Sequence, residues 1–197
     1  MSNLPEPFPA AKVAWLKAPT RNADADNKPV AELVATILAD VKTRGDVAVR
    51  EYSAKFDQSD LQVFEVTQAE REAAVAALDP QTRKDTEFAI ANVRRFAEAQ
   101  LATILPLDIE ALPGVFMGHR VIPIDRVGCY VPGGRFPLLS APIMTIVPAK
   151  VAGVDEVIAC LPPNAQEAMV AGCHLSGADR IFRIGGAQAI AAMAYGT

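Results

Sequence analysis

Two short stretches of the 197-residue chain carry residue types suited to holding a ligand. The first is Tyr130-Val131-Pro132-Gly133-Gly134, inside the segment RVGCYVPGGRFPLLSAPIMT from Arg126 to Thr145. The second is Gly185-Gly186-Ala187-Gln188. A glycine pair admits positive φ angles and leaves no side chain between its N–H groups and a ligand. A helix that follows points its unpaired N–H groups back at the turn, which suits a phosphate or a carboxylate. Tyr130 offers a ring to stack on a base or sugar and a hydroxyl to donate, and Gln188 offers an amide. Together they read as one wall of a nucleotide site. The same residues also suit a plain strand-to-helix connector, a core aromatic and a glutamine with a mild preference for a helix start. Residue type alone leaves both readings open.

The remaining candidates are weaker. Cys173 and His174 are neighbours, but adjacent helical residues point about 100° apart and do not readily share a ligand. His119 is the only other histidine, and Cys129 and Cys160 fall inside apolar strands. No Cys-x-x-Cys or His-x-x-x-His spacing occurs, so these residues read as buried structural cysteines and a helix-surface histidine. Asp125-Arg126 reads as a surface ion pair of little consequence. No catalytic residue and no metal ligand is assigned within the chain.

The elements that must position the two glycine corners follow from the apolar pattern. Val127 to Val131, Glu156 to Leu161 and Asp179 to Ile184 read as strands, with helices from about Phe136 to Val151, from Asn164 to Leu175 and from Gln188 onward. Strand-helix alternation is the signature of a parallel sheet with right-handed crossovers and helices on both faces. Ligands bind beyond the carboxyl ends of such strands, where both glycine pairs fall. No G-x-G-x-x-G follows any strand, and no lysine follows a glycine run as in a P-loop.

Upstream the pattern is mainly helical. Pro29 starts a helix whose apolar face is Val30, Leu33, Val34, Ile37, Leu38 and Val41. Asp46 reads as the cap of a second helix that buries Val47, Val49, Tyr52 and Phe56. Leu61 to Val66 alternates as a short strand. Thr67 and Glu70 match a capping box. A long helix from Pro80 to Leu101 is built on Phe88, Ile90, Val93, Phe96 and Ala97. Val115 to Met117 and His119 to Pro123 read as edge strands or a hairpin. The first half proposes no chemistry of its own; its charged residues read as solvated helix faces.

Charge divides the chain near Pro113-Gly114: residues 114–197 carry a net +1 and the rest −5. The expected organisation is an arm over 1–28, a mainly helical region with a short strand over 29–113, and a parallel α/β domain over 114–197. In the arm, Trp15 and Leu16 are apolar anchors that pack on the body or on a partner. The net charge of −4, with no basic stripe, argues against a nucleic-acid partner. No apolar run reaches bilayer length, and no basic segment precedes an apolar one at the N-terminus. An odd count of three cysteines suits a reduced, cytoplasmic setting.

The segments GCYVPGGRFPLLSAPIMTIVPAKVAGVDEVIACLPP, RIGGAQAIAAMAYGT and KTRGDVAVREYSAKFD, in their order along the chain, resemble the histidinol dehydrogenase family. The resemblance runs from about Val30 to Thr197. It implies incomplete Rossmann-like domains, which accounts for the missing glycine fingerprint, and a homodimeric, zinc- and NAD-dependent enzyme of histidine biosynthesis. Such an enzyme oxidises a primary alcohol through the aldehyde to the acid. By the same resemblance, Tyr130 and Gln188 contact NAD, while the zinc ligands and the Glu-His catalytic pair lie on polypeptide beyond Thr197. The chain is thus expected to be an N-terminal portion, inactive alone. Arg135-Phe136 stands where the family usually has small residues. It resembles relatives acting on other alcohols, such as sulfopropanediol dehydrogenase, with Arg135 either gripping an anionic substrate group or facing solvent.

Overall fold

The computed structural model describes residues 27–133 and 138–197. The expected arm with Trp15 and Leu16, and the residues Gly134, Arg135 and Phe136, lie outside the described residues.

A parallel sheet of three strands, β3 (Arg126–Tyr130), β4 (Glu156–Leu161) and β5 (Arg180–Arg183), forms the centre in the order β3-β4-β5. Tyr130, Cys160 and Phe182 stand abreast across it. Alternation along each strand divides the side chains between two cores. Cys129, Val157, Ala159, Leu161 and Ile181 face one side. Tyr130, Cys160 and Phe182 face the other. Both faces are therefore covered, which is why these strands read as continuous apolar runs.

On the first face lie the crossover helices α5 (Ser140–Val151) and α6 (Glu167–Ser176), with α3 (Gln68–Ala76) beside α6. Ile146, Val157, Leu161, Val170 and Ile181 are completely excluded from water there. Each such side chain contributes about 1.5–3 kcal/mol by burial. The long helix α4 (Pro80–Leu101) forms an outer layer, its Ile90 packing on Ile143 and Val147 of α5. On the second face lie α1 (Lys28–Arg44), α2 (Asp46–Tyr52) and the last helix, α7 (Gly186–Tyr195). Gly128 lets α7 lie close against β3, since a Cβ there would fall 2.4 Å from Met193 Sδ.

Two of the cap signals hold, whereas the apolar face expected of α1 is buried at Ile37 and Val41 but exposed at Val30 and Leu33. Thr67 and Glu70 form the capping box: Glu70 N–H donates to the Thr67 hydroxyl, and the Glu70 carboxylate accepts from Thr67 N–H at 2.7 Å. Asp79 caps α4 by accepting from the N–H groups of Gln81 and Thr82. Other expectations are corrected. Asp46 is the first residue of α2 and not its cap; Gly45 stands in the cap position, with no side-chain hydrogen bond. Val47 and Phe56 are exposed, and Ala48 is buried in their place. After Tyr52 the helix widens into a π-helical turn, Ser53–Asp57. On α4, Phe88 and Phe96 face outward, being 69% and 66% exposed.

The expected strand from Leu61 to Val66 shrinks to a short antiparallel edge on β5. There Val66 N–H donates to Ile181 O at 2.8 Å, and Arg183 N–H donates to Phe64 O at 2.8 Å. Helix α5 begins at Ser140, and α7 begins two residues before Gln188. The hairpin is shifted: β1 (Leu107–Leu112) pairs antiparallel with β2 (Val115–His119), and Pro113-Gly114 is its turn. Strand β1 is not among the elements that the apolar pattern predicts. Every residue of the hairpin is exposed.

Candidate functional site

Three loops meet at the carboxyl end of the sheet. The turn after β3 brings Gly133 against Pro162, which follows β4: a Cβ on Gly133 would fall 2.4 Å from Pro162 Cγ. The same proline borders Gly185 after β5, with its Cα 3.5 Å from where a Cβ would stand. Small residues at both corners thus let three strand ends close on one another.

The two residues singled out from sequence belong to this junction. Tyr130 ends β3, and its hydroxyl accepts the Gly186 N–H at 3.0 Å. That bond ties the first corner to the amino end of α7. Gly186 adopts φ +66°, which suits glycine, and a Cβ there would lie 2.5 Å from Gln188 Oε1. The Gln188 amide therefore folds back against the start of its own helix, and the residue is 1% exposed. Its Nε2 donates to Asp57 Oδ2 at 3.0 Å. The Ser53 hydroxyl donates to the same carboxylate oxygen at 3.4 Å.

Asp57 and Ser53 are the functional candidates that sequence reasoning missed. The first half of the chain does bring polar groups to the corner. A signal was present: Ser53 and Asp57 are four apart and share the helical face of Val49, so they interrupt an apolar stripe with two polar groups. A polar pair aimed at a core requires a partner, and the partner is Gln188.

No side chain caps α7. Its amino end therefore presents backbone N–H groups and the positive end of the helix dipole beyond the strand ends, which suits an anionic group such as a pyrophosphate. The donor set is of the kind a nucleotide uses.

The other candidates remain scattered. Cys129 and Cys173 lie in one core and Cys160 in the other. All three are free and buried. Burial pushes the Cys160 and Cys173 thiols up to about 12, which leaves them protonated and unreactive at neutral pH. His174 is half-buried near the end of α6. His119 sits on the hairpin, its Nε2 2.8 Å from the Leu105 carbonyl oxygen. Arg126 pairs with Glu156 across the strands at 2.9 Å and not with its neighbour Asp125. Among the described residues no group of three or more His, Cys, Asp or Glu side chains is placed to hold a metal ion. A cleft of about 610 Å³ lies away from the corners, between α7 and the segment around Phe64, and reaches the amino ends of the strands at Arg126 and Glu156.

Comparison with known proteins gives a consistent result. The histidinol dehydrogenase family model matches residues 20–197. A histidinol dehydrogenase homolog of Mesorhizobium japonicum is 49% identical over 174 residues, covering 87% of this chain and 35% of that protein. Sulfopropanediol 3-dehydrogenase of Ruegeria pomeroyi is 42% identical over 188 residues, covering 93% of this chain and 43% of the relative. The crystal structure of histidinol dehydrogenase from Elizabethkingia anophelis superposes with a TM-score of 0.81 at 31% identity, covering 92% of this chain and 41% of that one. The chain thus spans well under half the length of these relatives. With one family model running through the helical region and both glycine corners, and a shared fold beneath it, the chain belongs to the histidinol dehydrogenase family.

Proposed function

We propose that this chain is the cofactor-side portion of an NAD-dependent, zinc-requiring alcohol dehydrogenase. The full-length enzyme oxidises a primary alcohol, L-histidinol, through the aldehyde to the acid. The observation that carries the reading is the bond from Gly186 N–H to the Tyr130 hydroxyl, which joins two glycine corners at the tips of parallel strands and sets Gln188 beside them. NAD, when bound, supplies the hydride acceptor. The residues of this chain bind and orient it: α7 offers N–H groups to the pyrophosphate, Tyr130 holds the corner closed, and Gln188 contributes its amide. Among the described residues no cluster is placed to hold zinc, so its ligands would come from the rest of the full-length enzyme.

A second substrate class has its own support. The likeness to a sulfopropanediol 3-dehydrogenase, over nearly the whole chain, favours a sulfonated or carboxylated diol as the alternative alcohol. We place the enzyme in the cytoplasm, in keeping with three unpaired thiols. We also propose that it is a homodimer. The exposed apolar residues of the hairpin, among them Ile109, Phe116 and Met117, support a partner surface. Among the described residues no helix is long and apolar enough to cross a membrane.

Titrating NAD into the purified chain by calorimetry tests the cofactor reading. The expected outcome is saturable binding that weakens roughly three- to tenfold in Tyr130→Phe, a loss on the scale of one hydrogen bond. Absence of binding by the unmodified chain would remove the reading.

A further inference from the structure

We infer that Asp57 is a positioning residue for the cofactor contact: it fixes which end of the Gln188 amide faces a ligand. The inference rests on the reading of the corner as an NAD site and goes one residue deeper into it. A carboxylate only accepts hydrogen bonds, whereas a carboxamide has a donating end and an accepting end. Gln188 Nε2 lies 3.0 Å from Asp57 Oδ2, so the amide must turn its NH₂ toward the acid. Its other end, Oε1, is then turned away from the acid and lies 2.5 Å from where a Gly186 Cβ would stand, at the start of α7. Gln188 is buried, so the corner holds a fixed acceptor just behind the amino end of α7, which a ligand hydroxyl or N–H seated on the backbone donors would meet.

Three further observations show that this polarity is built into the fold. Ser53, completely buried, donates to the Oδ2 atom that receives Gln188, so the acid is itself held. The π-helical turn Ser53–Asp57 carries both groups, and such turns are frequent at functional sites. Gly185 lets the acid approach the corner: a Cβ there would meet Asp57 Oδ1 at 3.2 Å.

The test is a double-mutant cycle on NAD affinity, with Asp57→Asn and Gln188→Ala made singly and together, and folding of each variant checked by circular dichroism. Asparagine keeps the volume of the aspartate but can face the amide with either end, so it no longer selects an orientation. Asp57→Asn is expected to weaken NAD binding roughly three- to tenfold in the native background and to have no further effect once Gln188 is alanine. An equal loss in both backgrounds, or no loss in the native one, overturns the inference while leaving NAD binding itself intact. Failure of the unmodified chain to bind NAD overturns the cofactor reading and this inference with it. A readout independent of the cofactor accompanies the cycle. The Gln188 side-chain NH₂ should exchange slowly with solvent, by nuclear magnetic resonance, and faster in Asp57→Asn; unchanged exchange would overturn the fixed orientation.

Discussion

Single atoms decide the geometry of the corner. Gly133 is tolerated beside Pro162 because it has no Cβ; an added methyl would sit 2.4 Å from a ring carbon that has no rotamer to retreat into. Gly133→Ala is therefore expected to cost about 1–3 kcal/mol, the range for forcing extra volume into a packed contact. Urea unfolding would show it as a lower midpoint with an unchanged slope. The Gly186 N–H and the Gln188 NH₂ each have one partner, Tyr130 and Asp57 respectively. Those partners lie 56 and 131 positions away in sequence. Tyr130 and Gln188 were legible from the sequence because each sits next to a glycine pair. Asp57 was not, because nothing local marks an aspartate whose partner is supplied by a distant helix.

Secondary elements are held by local chemistry where their ends are concerned. The capping box at α3 satisfies two N–H groups that the helix leaves unpaired, and Thr67→Ala should lower stability by about 1 kcal/mol in urea denaturation. At α4, hydrogen bonds from Thr82 and Gln81 hold the Asp79 carboxyl below its ordinary value of 3.8. The ionised form is thus favoured by folding, so this contribution is fully present above pH 3.8 and is lost as pH falls through the lowered folded value. Asp79→Asn should correspondingly flatten the acid limb of the stability profile between about pH 4 and pH 2, measured by thermal unfolding. These ends were readable in advance because a cap needs only residues three or four apart. The missed strand Leu107–Leu112 and the shortened edge at Phe64 to Val66 were not, since pairing depends on a partner strand that local sequence does not specify.

At the scale of the whole molecule, the described residues form one body and one appendage. Helices from both halves of the chain cover the sheet, whereas the hairpin Leu107–His119 adds no buried residue. Replacing residues 107–119 by two glycines, at a point where Leu107 and His119 are paired, should change unfolding free energy by less than about 0.5 kcal/mol. The same change should abolish any self-association seen by sedimentation velocity. A large loss of stability would mean that the hairpin supports the body. The outward-facing Phe88 and Phe96 have the same significance as the hairpin. The chain covers 35% and 43% of the two relatives named above, and these exposed apolar faces are of the kind that mark an interaction surface.

Apolar periodicity, cap residues and glycine pairs by themselves determined the class of fold, the three central strands, the caps of α3 and α4 and the two corners, because each is written in residues near one another along the chain. The family resemblance rested on motif segments such as RIGGAQAIAAMAYGT. Only the tertiary structure decided which side chains share those corners. Tyr130 reaches Gly186 because two strands lie in parallel register with a third between them, and Asp57 reaches Gln188 because α2 and α7 cover the same face of the sheet. Contacts of that kind come from the closing of long loops, and their geometry exists only once the sheet has formed.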